Sequence, residues 1–85
     1  ELHRSHFVGE VTAVREDGWV QVQAKNRFAV GDRIELLHPQ GNRIVELKEM
    51  QNLDGEPVQV APGDPVRVWI PLGAPAEGGL IARLL

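Results

Sequence analysis

The sequence predicts an all-β domain, a small closed or partly open barrel of about six short, mainly antiparallel strands. Three observations lead there. Residues 19–25 alternate strictly, with Val20, Val22 and Ala24 on one face and Trp19, Gln21, Gln23 and Lys25 on the other. A period of two marks a half-buried strand. Glycine (9) and proline (6) break the 85 residues into many short segments, and no segment makes a convincing helix. A small closed barrel is favoured over a sandwich, and closure removes the exposed edges that so short a sheet would leave open.

The elements follow in order. Phe7 to Val14 is rich in β-branched residues and reads as the first strand; Glu16-Asp17-Gly18 is a turn; Trp19 to Lys25 is the second strand. After a short connection ending at Gly31-Asp32, Arg33 to His38 forms a strand with Ile34 and Leu36 inward. Pro39-Gln40-Gly41-Asn42 is a turn, with the proline pre-setting φ. Arg43 to Met50 reads as the returning strand. Its pattern is mixed, and Val45 to Met50 has competing helix propensity. Asp54-Gly55 and Ala61-Pro62-Gly63-Asp64 are further turns around a short strand at 58–60. Val66, Val68 and Ile70 point inward from the next strand, 71–79 is a loop, and Leu80 to Leu85 closes the sheet.

A chain of 85 residues allows one domain with one modest core. There is no cysteine, so no disulfide, thiolate metal site, iron–sulfur cluster or cysteine nucleophile is built from this chain. No apolar run approaches the ~18 residues of a membrane helix. The sequence starts without Met and ends on the apolar run Leu80-Ile81-Ala82-Arg83-Leu84-Leu85, which reads as the last domain of a longer protein. The formal net charge of -3 is unevenly spread. Residues 25–43 carry Lys25, Arg27, Arg33 and Arg43 against Asp32 and Glu35, a net of +2, which leaves -5 for the remainder.

An ordered series of short motifs resembles a known family. Phe7-Val8-Gly9, Asp17-Gly18-Trp19, Lys25 to Glu35, Asp54-Gly55-Glu56-Pro57 and Val60-Ala61-Pro62-Gly63 are similar to the C-terminal domain of the collagenase-like peptidase family, unassigned-type peptidase family thirty-two. Gly41-Asn42 before Ile44 and the tail Leu80-Ile81-Ala82-Arg83 resemble its prephenate-dependent, tRNA uridine hydroxylation branch. The resemblance implies a cytoplasmic bacterial protein with a larger N-terminal catalytic domain, whose cysteines hold an iron–sulfur cluster. It also implies a barrel similar to the second domain of translation factors, which the pattern Phe28-x-x-Gly31-Asp32-x-Ile34 fits. No catalytic residue carries over to this chain, because those cysteines are absent from it.

Catalytic chemistry is poorly supplied. His3 and His6 have ligand spacing, but zinc needs more donors than these two terminal residues. Ser5 is the sole serine, and a triad needs a base and a carboxylate fixed beside it. His38 beside Asp32 or Glu35 reads as a satisfied rim histidine. Gly31 reads as a turn residue needing positive φ, with Asp32 bonded to the turn backbone. No catalytic and no metal-binding residue is expected, and no cofactor in this domain.

The basic segment is surplus to the scaffold formed by Phe28, Val30, Ile34 and Leu36. Small barrels hold nucleic acid with basic residues beside an exposed aromatic ring. Lys25, Arg27, Arg33, Arg43 and Trp19 are the RNA-binding candidates. Trp69 and Arg67, with the C-terminal strand, are the candidates for docking on the N-terminal domain. The expected role is therefore a non-catalytic module that positions tRNA. The competing role is structural: docking on the catalytic domain or mediating oligomerisation.

Overall fold

The computed structural model describes residues 4–63 and 66–85. His3 of the candidate histidine pair and Asp64 of the expected 61–64 turn lie outside the described residues. Eight strands run in chain order: β1 (Ser5–Val14), β2 (Val20–Ala24), β3 (Phe28–Ala29), β4 (Arg33–Leu37), β5 (Arg43–Glu46), β6 (Val60–Ala61), β7 (Val66–Ile70) and β8 (Leu80–Leu84). Six form one antiparallel sheet in the order β5-β4-β8-β1-β2-β7, while β3 pairs with β6.

Strand β1 organises the sheet. Its first half pairs with β8 and its second half with β2; the two ladders overlap at Gly9 and Glu10. Each ladder contains an irregularity, between Phe7 and Gly9 on one side and between Val11 and Ala13 on the other. Such bulges bend and twist a strand, which is what curling a sheet requires. Gly9 sits at the overlap for a steric reason. A Cβ there would lie 2.5 Å from the Gln23 carbonyl oxygen and 2.8 Å from Val22 Cγ1.

The barrel is partly open. The edge strands β5 and β7 do not pair with each other. Beyond β5, Gln51 exchanges two backbone hydrogen bonds with Trp69 of β7, at 2.9 and 2.8 Å, and so spans the gap at one point. The helical alternative for Val45 to Met50 is not realised. The Leu47 amide donates to the Asp32 carbonyl at 2.8 Å and the Leu47 carbonyl accepts from Gly31 at 2.7 Å. Leu47 and Met50 are both buried, so tertiary pairing overrides propensity here. Strand β5 itself stops at Glu46, and the short strand expected at 58–60 forms at 60–61 instead.

The alternations place the core as expected. Val20, Val22 and Ala24 are buried on β2, Ile34 and Leu36 on β4, and Val68 and Ile70 on β7, with Val66 partly buried. They join Val8, Phe28, Leu47, Met50 and Ile81 in one cluster, each large side chain contributing about 1.5–3 kcal/mol on burial. No polar side chain is buried among the described residues. Strand β3, absent from the sequence reading, exists to seat Phe28 in this cluster: Phe28 pairs with Ala61, and the Val30 amide extends the ladder to Gln59 at 2.9 Å.

Because neighbouring strands are antiparallel, their ends alternate between two rims. The starts of β1, β4 and β7 and the ends of β2 and β8 share one rim, here the entry rim. The hairpin β1–β2, the β4–β5 turn and the loop 71–79 occupy the opposite rim.

Candidate functional site

The five RNA-binding candidates divide between the two rims. Lys25 follows the last residue of β2 and donates its amide to the Val8 carbonyl at 2.7 Å. Arg27 is exposed in the link to β3, and Arg33 is exposed at the start of β4 opposite Glu46. These three lie at the entry rim. So do Arg4, Arg67 near the start of β7, and Arg83 near the end of β8. Arg83 stands 3.9 Å from Asp32. The side chains of Lys25, Arg27 and Arg33 make no ion pair among the described residues.

Local chemistry builds this rim. Asp32 accepts a hydrogen bond from the Ala29 amide at 2.8 Å, closing the turn that presents Arg33. Gly31 takes φ 99, the left-handed conformation that turn needs. Asn26 donates to the Phe7 carbonyl at 2.8 Å and ties the segment carrying Lys25 and Arg27 to β1. The arrangement offers cations on a fixed backbone whose side chains have no ion-pair partner among the described residues, which suits phosphate contacts.

Arg43 is differently employed. Its guanidinium donates to the carbonyls of Leu72 (2.8 Å), Gly73 (3.1 Å) and Pro75 (2.7 Å). It therefore pins the 71–79 loop at the far rim, with three of its five N–H donors engaged by the protein itself.

Trp19 also lies at the far rim, six residues from Lys25 along one strand, or about 20 Å at ~3.3 Å per residue. Its neighbour is Trp69, the docking candidate. Trp69 is opposite Gln21 in the β2–β7 ladder, and Arg67 is opposite Gln23. Arg15 joins the two indoles: its guanidinium carbon lies 5.6 Å from the Trp19 ring centroid and 4.8 Å from that of Trp69. Asp17 grips the same guanidinium in a two-pronged ion pair, at 3.1 and 2.6 Å, and accepts from the Trp19 amide at 3.2 Å. The hydrogen bond from Arg15, followed by that from the Trp19 backbone, holds the Asp17 carboxyl below the usual aspartate range. The same contact raises Arg15. Arg15 was not among the sequence candidates. The available signal was the Arg15-x-Asp17-Gly18-Trp19 hairpin, in which a basic and an acidic residue flank the turn.

His38 is satisfied in the rim position expected of it. Its Nδ1 accepts from the Gln40 amide at 3.0 Å, which leaves Nε2 as the donor to the Glu77 carbonyl at 3.2 Å. The Glu77 carboxyl is lowered mainly by backbone hydrogen bonds at Glu77 and Ala76, with a smaller contribution from His38. Among the described residues there is no enclosed pocket and no group of three histidine, aspartate or glutamate side chains placed to hold a metal ion. Among the described residues no helix is long and apolar enough to cross a membrane.

Comparisons with known proteins bear on the fold and the family. The chain is 46% identical over 69 residues to tRNA hydroxylation protein P of Escherichia coli (strain K12), a match covering 81% of this chain and 15% of that protein. It is 44% identical over 62 residues to tRNA hydroxylation protein P of Haemophilus influenzae, covering 72% and 14%. The chain thus spans about one seventh of these relatives' length. Two crystal structures of the C-terminal domain of a Geobacillus thermoleovorans protein assigned to the U32 peptidases superpose with a TM-score of 0.82. One is 25% identical and covers 93% of this chain and 91% of its own; the selenomethionine form is 24% identical and covers 89% and 96%. The model of the peptidase family U32 C-terminal domain matches residues 3–83, and the chain belongs to that family.

Proposed function

We propose that this domain is a non-catalytic accessory module of a cytoplasmic tRNA hydroxylation protein and positions the RNA substrate for a catalytic domain elsewhere in the same chain. The carrying observation is the collection of Lys25, Arg27 and Arg33, unpaired among the described residues, at the entry rim. A region preceding this C-terminal domain would join β1 at that rim, so phosphates held there would lie at the junction with it. Phosphate contacts fix register and orientation without reading sequence. Base selection and chemistry then belong to the larger domain. The iron–sulfur cluster that the resemblance implies would be held there too, since this chain has no thiolate to ligate it.

The far-rim cluster has a secondary part in this reading. Trp19 and Trp69 are half-buried, and Arg15 covers both rings. They order the hairpin and the β7 edge rather than offering two free stacking faces. The test is tRNA binding by the isolated domain across a salt series. Three phosphate contacts predict a log–log slope of about -2 to -3. Replacing Lys25, Arg27 and Arg33 together with alanine should remove that slope. Binding that ignores salt, or survives the triple replacement, overturns the reading.

A further inference from the structure

The outer face of β5-β4-β8-β1 carries an uncovered apolar patch. Ile44, Glu35, Ala82 and Phe7 stand in one register row across the four strands. The adjoining row pairs Leu37 with Leu80 and Leu80 with Glu10. Phe7 (45%), Ile44 (45%), Leu80 (42%) and Leu37 (37%) are all substantially exposed. Strand spacing makes the row about 14 Å wide. Four large apolar side chains gathered on one sheet face mark an interaction surface rather than ordinary scatter. The β2–β7 face differs, showing Gln21, Gln23, Lys25 and Arg67 around the arginine-covered tryptophans.

We propose that this face docks on the region preceding the domain in the full-length protein. Two observations choose that occupant. The chain spans 15% and 14% of its curated relatives, so most of such a protein lies outside this domain. The patch also begins at Phe7, near the start of β1, where the preceding region is tethered. A short tether raises the effective concentration of that region at this face above that of any free partner. Glu35 sits within the patch and Glu10 at its edge, so the opposing surface is apolar with a basic side chain facing Glu35. Trp69 and Arg67 lie on the other face and are not part of this contact.

The test is side-chain oxidative footprinting of Phe7, Leu37, Ile44 and Leu80 in the full-length protein and in the isolated domain, both at dilute concentration without RNA. Related C-terminal domains crystallised by themselves, so the isolated domain is a fair reference. Docking that holds nine molecules in ten slows labelling about tenfold in the full-length protein. Replacing Leu37 with glutamate and Leu80 with lysine sets opposite charges on facing positions, with Glu10 also facing residue 80, and should restore labelling of Phe7 and Ile44 there. Equal labelling in the two proteins overturns the proposal. So does protection that appears in the isolated domain only as its concentration rises, which would assign the face to a second copy. The outcome is separable from RNA positioning, because Phe7, Leu37, Ile44 and Leu80 carry no charge for phosphate.

Discussion

Arg15 lies 4.8 Å from the centroid of Trp69, a residue 54 positions away, while Asp17 holds the same guanidinium at 2.6 Å. One arginine therefore fastens the β1–β2 hairpin to the β7 edge, near the point where Gln51 spans the opening of the barrel. Cation–π contact and ion pair act on a single group, so removing either partner loosens both.

Replacing Arg15 with alanine should free both indoles. Tryptophan emission is expected to shift to longer wavelength as the rings gain solvent, with the fold retained. The ion pair is exposed, and exposed pairs add little to stability. Emission unchanged from the parent would show that Arg15 does not cover the rings in solution.

The same cluster sets a pH response. Asp17 is held below its ordinary value, about 3.9 in an unfolded chain. Its contribution to stability is therefore fully present above that value and is lost as pH falls through the lower, folded value. Carboxyl NMR should show Asp17 titrating below the ordinary range, and moving up in an Arg15→Gln variant. The Trp19 amide signal should follow the same transition, because it donates to Asp17.

Arg43→Ala should be a folding variant rather than a binding variant. It removes three hydrogen bonds to the 71–79 loop; one charged hydrogen bond is worth about 1.5–3 kcal/mol, and three from a single, partly solvated guanidinium do not add in full. A loss of about 2–3 kcal/mol in denaturant unfolding is expected, with faster amide exchange at Gly73. Affinity for tRNA, corrected for the folded fraction, should not change.

Gly9→Ala tests the packing of β1 against β2. The added methyl meets backbone at 2.5 Å, where nothing flexible can yield, and overpacking of this kind costs about 1–3 kcal/mol. Phe28→Ala should cost more, about 3–5 kcal/mol, enough to unfold much of so small a domain. Thermal unfolding of the two variants gives the order directly.

Much of the fold was legible in the sequence, and what was hidden has physical reasons. Val20, Val22 and Ala24 announced their face by strict alternation, and Gly18, Gly31, Gly41 and Gly55 marked turns where φ is positive. Strand β3 left no such trace. Two residues show no period, and their partner strand lies about thirty positions away. The loop-pinning role of Arg43 was hidden likewise, since its acceptors lie 29 to 32 residues on. Alternation did place Lys25 and Trp19 on one face correctly, but a face says nothing of distance along it. The topology then separated them and brought Trp19 to Trp69 through Arg15, beside the Glu16-Asp17-Gly18 turn.

The most direct test of RNA positioning is an NMR titration of the isotope-labelled domain with bacterial tRNA at two salt concentrations. Shifts are expected to concentrate at Lys25, Arg27 and Arg33 on the entry rim and to fade at the higher salt, with Arg43 and the Arg15 cluster nearly still. A spectrum that does not move, or movement centred on Trp19 and Trp69 that persists at high salt, would contradict it.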